Sequence, residues 1–221
     1  MAAVQPLLRR FLLAAAVLIA APAPGPSGAQ DRPIKIVALG DSLTAGYGLP
    51  REAAFPPRLE AALRDKGIAV EIANAGVSGD TSSGGLARLD WSIPDGTEAV
   101  ILELGANDAL RGIDPKVTRK ALADILVRLK DRRIAVLLAG MRAPPNLGAE
   151  YTRDFDAIFP ALAGEFDVVF YPFFLDGVVA DRSLNQGDGL HPTAAGIDVI
   201  VTRILPKAEE LLARVKAQRG S

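Results

Sequence analysis

The chain has 221 residues, 49% of them hydrophobic and 23% charged, with 25 Lys and Arg against 26 Asp and Glu. That length and balance suit one globular α/β domain rather than a disordered chain, and a net charge of −1 supplies no basic face for nucleic acid. The absence of cysteine excludes disulfides, thiolate metal sites and thiol catalysis, and a single histidine, His191, must carry any imidazole chemistry.

At the start of the chain, Arg9 and Arg10 precede an apolar run from Phe11 to Ala21. Pro22, Pro24, Gly25, Pro26 and the small residues Ser27, Gly28 and Ala29 follow. This is the pattern of a signal peptide over residues 1–29, ahead of one domain over residues 30–221. The apolar run is shorter than the roughly 20 residues a transmembrane helix needs, so no membrane span is expected in the mature protein. An exported chain, periplasmic or secreted, is expected instead. The paired arginines suit the twin-arginine route and ordinary export alike.

Beyond residue 31, five short apolar runs alternate with helical patterns: Ile34–Leu39, Ala69–Ala73, Ala99–Leu104, Ile134–Ala139 and Val168–Tyr171. Their near-continuous apolar character fits strands covered on both faces, as in a parallel sheet built of βαβ units. The clearest helix lies between the third and fourth runs. Asp114 caps it, Pro115 opens it, and Val117, Ala121, Leu122, Ile125 and Leu129 form one stripe. Other helices are expected near Ala53–Asp65, Thr81–Leu89 and Tyr151–Gly164. A last one starts near Pro192 and is expected to bend or break before Pro206. The reading is a doubly wound α/β domain, whose ligands sit at the carboxyl ends of the strands.

Several loops fail tests for other chemistry. Gly40–Gly46 lacks the lysine of a P-loop, and Gly46–Arg51 lacks the third glycine of a dinucleotide fingerprint. Asp181, Ser183 and Asn185 begin like a calcium loop but meet Gln186 where glycine is required. Gly76-Val77-Ser78-Gly79 is not a G-x-S-x-G nucleophile elbow.

Four strand-end loops pass together. Ser42 follows the first strand in Gly40-Asp41-Ser42-Leu43, and a serine hydroxyl needs an adjacent base to attack. Asp188-Gly189-Leu190-His191-Pro192 places an acid three residues before the lone histidine. Asp188 can hold Nδ1–H there, leaving Nε2 for the serine proton. Acyl transfer also needs oxyanion donors, and Gly79 and Asn107 lie in the loops after the second and third strands. Asp41 reads as turn support, and Asp108 as loop support or a helix N-cap. Each piece alone has a bland alternative as a cap or turn; their order along one sheet edge is what carries weight.

The G-D-S-L opening, the later Gly79, the block Gly105-Ala106-Asn107-Asp108 and the closing Asp188…His191 resemble the SGNH (GDSL) hydrolases over the whole mature chain. The similarity is strongest to the exported bacterial branch of multifunctional acyl-CoA thioesterases, lysophospholipases and arylesterases. Met141–Gly148 and Glu165-Phe166-Asp167 contribute to it. Ala106 departs from the pattern, since relatives often have glycine there. The resemblance implies a flavodoxin-like αβα sandwich with about five strands, Ser42 as nucleophile, His191 as base and Asp188 as its support. It implies an oxyanion hole from the Ser42 and Gly79 N–H groups plus Asn107, and no metal or organic cofactor. The loop matching Ala143, Pro144, Pro145, Asn146, Leu147 and Gly148 is implied to cover the acyl chain, and Leu110, Arg142–Gly148 and residues 173–175 are expected as walls because they follow the third, fourth and fifth strands. The partner expected is a small-molecule or lipid ester, with the chain a monomer or weak oligomer. An exported carbohydrate deacetylase and a non-catalytic binding protein are the alternative readings.

Overall fold

The computed structural model describes Ala2 and residues 32–220. Apart from Ala2, the expected signal peptide lies outside the described residues. Five strands form one sheet: β1 (Ile34–Gly40), β2 (Val70–Gly76), β3 (Ala99–Glu103), β4 (Ala135–Ala139) and β5 (Val169–Tyr171). Their order is β2-β1-β3-β4-β5 and every pairing is parallel. β2 runs on to Gly76 rather than ending at Ala73, because its pairing with β1 continues through Leu39–Ala75 and Gly40–Gly76.

The helices are α1 (Ser42–Ala45), α2 (Phe55–Asp65), α3 (Ser82–Ala87), α4 (Leu89–Ser92), α5 (Ala106–Leu110), α6 (Pro115–Asp131), α7 (Ala149–Asp156), α8 (Ile158–Phe166) and α9 (Ala194–Arg219). α2 and α9 pack together on one face of the sheet, while α6 and α8 cover the other, which makes three layers. β3 and β4 are buried along their whole length, as their unbroken apolar runs require. Phe55 meets Phe174 edge-on at 5.0 Å, and Phe155 meets Phe159 at 5.6 Å. Burying each such side chain is worth about 1.5–3 kcal/mol.

Local departures from the expected helices have physical causes. The stretch after residue 149 divides at Ala157 into α7 and α8, because Pro160 has no N–H to continue the first helix. A short turn over Arg51–Ala53 precedes α2, which starts at Phe55 with Pro56 in its first turn. On α6, Asp114 caps the Lys116 N–H at 2.9 Å as expected. Val117 nevertheless points outward, 48% exposed, and Thr118 is the buried residue because its hydroxyl bonds Asp108.

Pro206 does not break the last helix: α9 runs through it from Ala194 to Arg219. Ile197, Ile200, Val201 and Ile204 before the proline, and Ala208, Leu211, Leu212 and Val215 after it, are all buried on the sheet side. Pro206 and Thr202, whose carbonyl loses its helical partner, are both exposed, so the lost bond falls on the solvent side of the helix rather than in the core. Among the described residues no helix is long and apolar enough to cross a membrane.

The far end of α9 is fastened by charge. Glu98 accepts from Arg219 Nε and Nη2, each at 2.7 Å, and from Arg32 Nη1 at 2.8 Å. Arg219 above all, then Arg32, holds the Glu98 carboxyl down at about 2 against the opposing effect of burial. A carboxyl whose folded value lies below its ordinary 4.5 stabilises the fold fully above that pH and loses the contribution as pH falls toward 2. Glu98→Gln is therefore expected to melt below the parent at pH 7, by about 2–4 °C for each kcal/mol lost. In thermal melts the gap should narrow steadily below about pH 4.5; a gap independent of pH would count against the ion cluster as its source.

Candidate active site

In the order β2-β1-β3-β4-β5, the chain leaves β1 toward one edge and later crosses to the other, so the crevice opens beside the carboxyl end of β1. Ser42 sits there as the first residue of α1. Asp41 caps the helix, its Oδ1 accepting from the Leu43 N–H at 2.9 Å. The Ser42 N–H belongs to the first helical turn, which has no intrahelical acceptor for it.

The loop between β5 and α9 brings His191 to the same place. His191 Nε2 lies 2.8 Å from Ser42 Oγ, and Nδ1 lies 2.7 Å from Asp188 Oδ2. Asp188 Oδ1 accepts from the backbone N–H groups of Leu190 and His191 at 2.9 and 3.0 Å. The His191 backbone bond, the ring bond and the Leu190 bond together hold the Asp188 carboxyl down at about 2. As a carboxylate it only accepts, so Nδ1 carries the ring proton and Nε2 is free to accept from Ser42.

Gly79 and Asn107 face the same crevice. Asp80 N–H bonds Val77 O at 3.1 Å, closing a turn whose third residue, Gly79, has φ of +86°, a conformation suited to glycine. Arg111 donates to the Gly79 carbonyl at 2.7 Å, tying that turn to the end of α5. Asn107 Nδ2 donates to Asp41 Oδ2 at 3.0 Å, which spends one of its two N–H groups. Asp108 is not an N-cap, since it lies inside α5. It is buried and accepts from Ser82 N–H, Ser82 Oγ and Thr118 Oγ1.

Beneath the serine turn lie polar groups to which the sequence assigned no role. Glu103 is buried; its Oε2 accepts from Thr44 Oγ1 at 2.7 Å and from the Asp41 N–H at 3.4 Å. Burial pushes Glu103 well above the ordinary carboxylate range, helped by Asp41 beside it, and burial pushes Asp41 up to about 6. Arg88 is buried as well, pairing with Asp80 at 2.6 Å and donating to Gly40 O at 2.9 Å. No spacing in the sequence marks Arg88, because its partners come from another loop and another strand. Gln186 and Tyr47 likewise had no role assigned from the sequence. The Tyr47 ring lies 4.5 Å from the His191 ring, and Gln186 Nε2 donates to Tyr47 O.

A cavity of about 710 Å³ opens onto Ser42, Gly79, Asn107 and His191. Leu43, Leu110, Met141, Ala143, Pro144, Pro145, Phe173, Leu175, Val179 and Leu190 make its wall largely apolar. Of the residues expected to wall the site, Leu110, Arg142, Ala143, Pro144, Pro145, Phe173 and Leu175 line it, but Asn146, Leu147, Gly148 and Phe174 do not. After Pro144 the chain turns outward through a helical turn over Pro145–Leu147, and Leu147 lines a separate depression with Pro115 and Tyr151. Ala143 N–H is anchored by Asp156 at 2.8 Å, which keeps that residue on the cavity side.

Comparison with known proteins agrees with this geometry. The family model for GDSL-like lipase/acylhydrolases matches residues 38–199. The chain is 41% identical over 167 residues to an arylesterase of Vibrio mimicus, covering 75% of this chain and 84% of the relative. It is 42% identical over 158 residues to thioesterase 1/protease 1/lysophospholipase L1 of Escherichia coli K12, covering 71% and 74%. Among solved structures, the SGNH-hydrolase esterase AlinE4 superposes with a TM-score of 0.69 at 47% identity, covering 82% of this chain and 97% of that one. The sequence match and the shared fold lead to one conclusion: the chain belongs to the GDSL-like lipase/acylhydrolase family and is an ester hydrolase of the SGNH type.

Proposed function

We propose that the chain hydrolyses carboxylic esters and thioesters of apolar acids through an acyl-serine at Ser42. The observation that carries this reading is the continuous hydrogen-bonded row Asp188–His191–Ser42 at the mouth of an apolar cavity. Ser42 Oγ attacks the substrate carbonyl as His191 Nε2 takes its proton, and Asp188 stabilises the resulting imidazolium. The negative oxygen is held by the Ser42 and Gly79 N–H groups and by the Asn107 N–H not engaged by Asp41. The alkoxide or thiolate leaves with the proton from His191. Water, deprotonated in turn by His191, then releases the acid.

The cavity wall favours an acyl chain over the acetyl groups of a sugar, since its lining side chains are mostly aliphatic or aromatic. The names of the relatives, arylesterase and thioesterase 1/protease 1/lysophospholipase L1, support aryl esters, acyl thioesters and lysophospholipids as substrate classes. The N-terminal pattern Arg9-Arg10 followed by Phe11–Ala21 supports export after removal of residues 1–29. Acyl-CoA is a cytosolic metabolite, so lysophospholipids and aryl or alkyl esters suit an exported enzyme better.

Ser42→Ala and His191→Ala are each expected to abolish hydrolysis of a p-nitrophenyl acyl ester while leaving the melting temperature near that of the parent. Normal turnover by either folded variant would remove the assignment. Asn107→Ala is expected to lower kcat by about 100- to 1,000-fold, the usual cost of one oxyanion donor. Asp188→Asn presents a donor to Nδ1 and selects the wrong ring tautomer, for a loss of about 10⁴-fold in kcat. Fluorophosphonate labelling followed by peptide mapping checks the nucleophile directly: modification is expected at Ser42 and nowhere else.

A further inference from the structure

The Ser42–His191 contact joins two loops separated by 149 residues, and one hydrogen bond of this kind is worth only about 0.5–1.5 kcal/mol. Something else must hold the loops in register. We propose that Gln186 is a positioning residue that clamps the His191 loop onto the serine loop, an inference that rests on the reading of Ser42 and His191 as nucleophile and base.

Both amide protons of Gln186 are used. Nε2 donates to Pro192 O at 2.9 Å, inside its own loop, and to Tyr47 O at 2.7 Å, across the crevice on the segment that follows α1. The Gln186 backbone N–H donates to His191 O at 2.7 Å, so the side chain and main chain of one residue bracket the histidine. The segment it grips also carries the Tyr47 ring, 4.5 Å from the His191 ring. The contact surface is complementary at the backbone too. Gly48 has φ of +73°, and a Cβ there would fall 2.4 Å from Gln186 Oε1.

This arrangement separates positioning from proton affinity. Asp188 and His191 lie in one loop, so the bond that sets the ring's tautomer survives loss of the clamp. Only the distance from Nε2 to Ser42 Oγ is released, and a displacement of about 1 Å at a reacting group costs up to about 100-fold in rate.

The test measures kcat, KM and the pH dependence of Gln186→Glu, Gln186→Ala, Gly48→Ala and the double variant Gly48→Ala/Gln186→Ala, with melting curves for each. Gln186→Glu keeps the size but removes the amide donors. It and Gln186→Ala are expected to lower kcat by about 10- to 100-fold with KM within about twofold, and in Gln186→Ala, which adds no charge beside His191, the midpoint of the pH profile is expected to stay unmoved. Gly48→Ala is expected to lower kcat both by displacing Gln186 and by straining the left-handed backbone at residue 48, and to cost less once Gln186→Ala is present, because the first effect and the second substitution act on one contact. Should Gln186→Ala fail to fold, Gln186→Glu decides by kcat and KM and Gly48→Ala by kcat and the pH midpoint. Parental kcat in a folded Gln186 variant would overturn the clamp, as would additive losses in the double variant. The Ser42→Ala control keeps the outcomes distinct: if it still turns over, the reading of the site fails. If it is dead while Gln186 variants are normal, the clamp alone fails.

Discussion

The 2.8 Å bond between His191 and Ser42 depends on a property of parallel sheets, that every strand delivers its chain to the same edge. Ser42 follows β1 and His191 follows β5, yet β3 and β4 separate those strands in the sheet. The segment after β5 must therefore reach back across two strand ends. It is fastened as it goes: Phe174 N–H bonds Gly140 O at 2.8 Å, and Asn185 Nδ2 bonds Val178 O and Asp181 O, each at 2.7 Å. Thr193 then begins α9, whose packing on β3, β4 and β5 gives the histidine loop a rigid base.

Below the serine turn the protein invests in buried polar groups rather than apolar packing. Asp41, Glu103, Arg88, Asp108 and Ser82 are buried, and most of their polar atoms are paired across different elements. Such a network is costly to assemble but leaves few alternative geometries, because a shift in one member strands another without a partner. Burial above all, and then Asp41 beside it, raise the Glu103 carboxyl well above the ordinary carboxylate range, the direction that eases the placing of two carboxyl groups side by side. The result is a nucleophile on a four-residue helix too short to be stable alone, fixed by side chains from β3, from α5 and from Arg88 at the joint between α3 and α4.

The cavity follows from the same edge. Loops after β3, β4 and β5 contribute Leu110, Ala143 and Phe173, so its apolar character comes from residues remote in sequence. Arg142 stacks over Phe173, 4.9 Å from its ring centre, at the same opening. An ester group is thus met by polar donors on one side and a hydrophobic wall on the other.

The sequence by itself determined the strands, the sheet class and the loops in which Ser42, Gly79, Asn107, Asp188 and His191 would lie. Those features depend on local periodicity, strand ends and residue chemistry, all of which are written in contiguous letters. The tertiary structure alone decided the rest: that Asp108 braces Ser82 instead of capping α5, that Asn146 and Leu147 turn away from the cavity, and that α9 continues through Pro206. It also decided that Arg88, Glu103 and Gln186 reach partners 48, 59 and 139 residues away. Each of those outcomes is a choice among locally acceptable options, settled by which distant group offers a hydrogen bond or an apolar surface to bury.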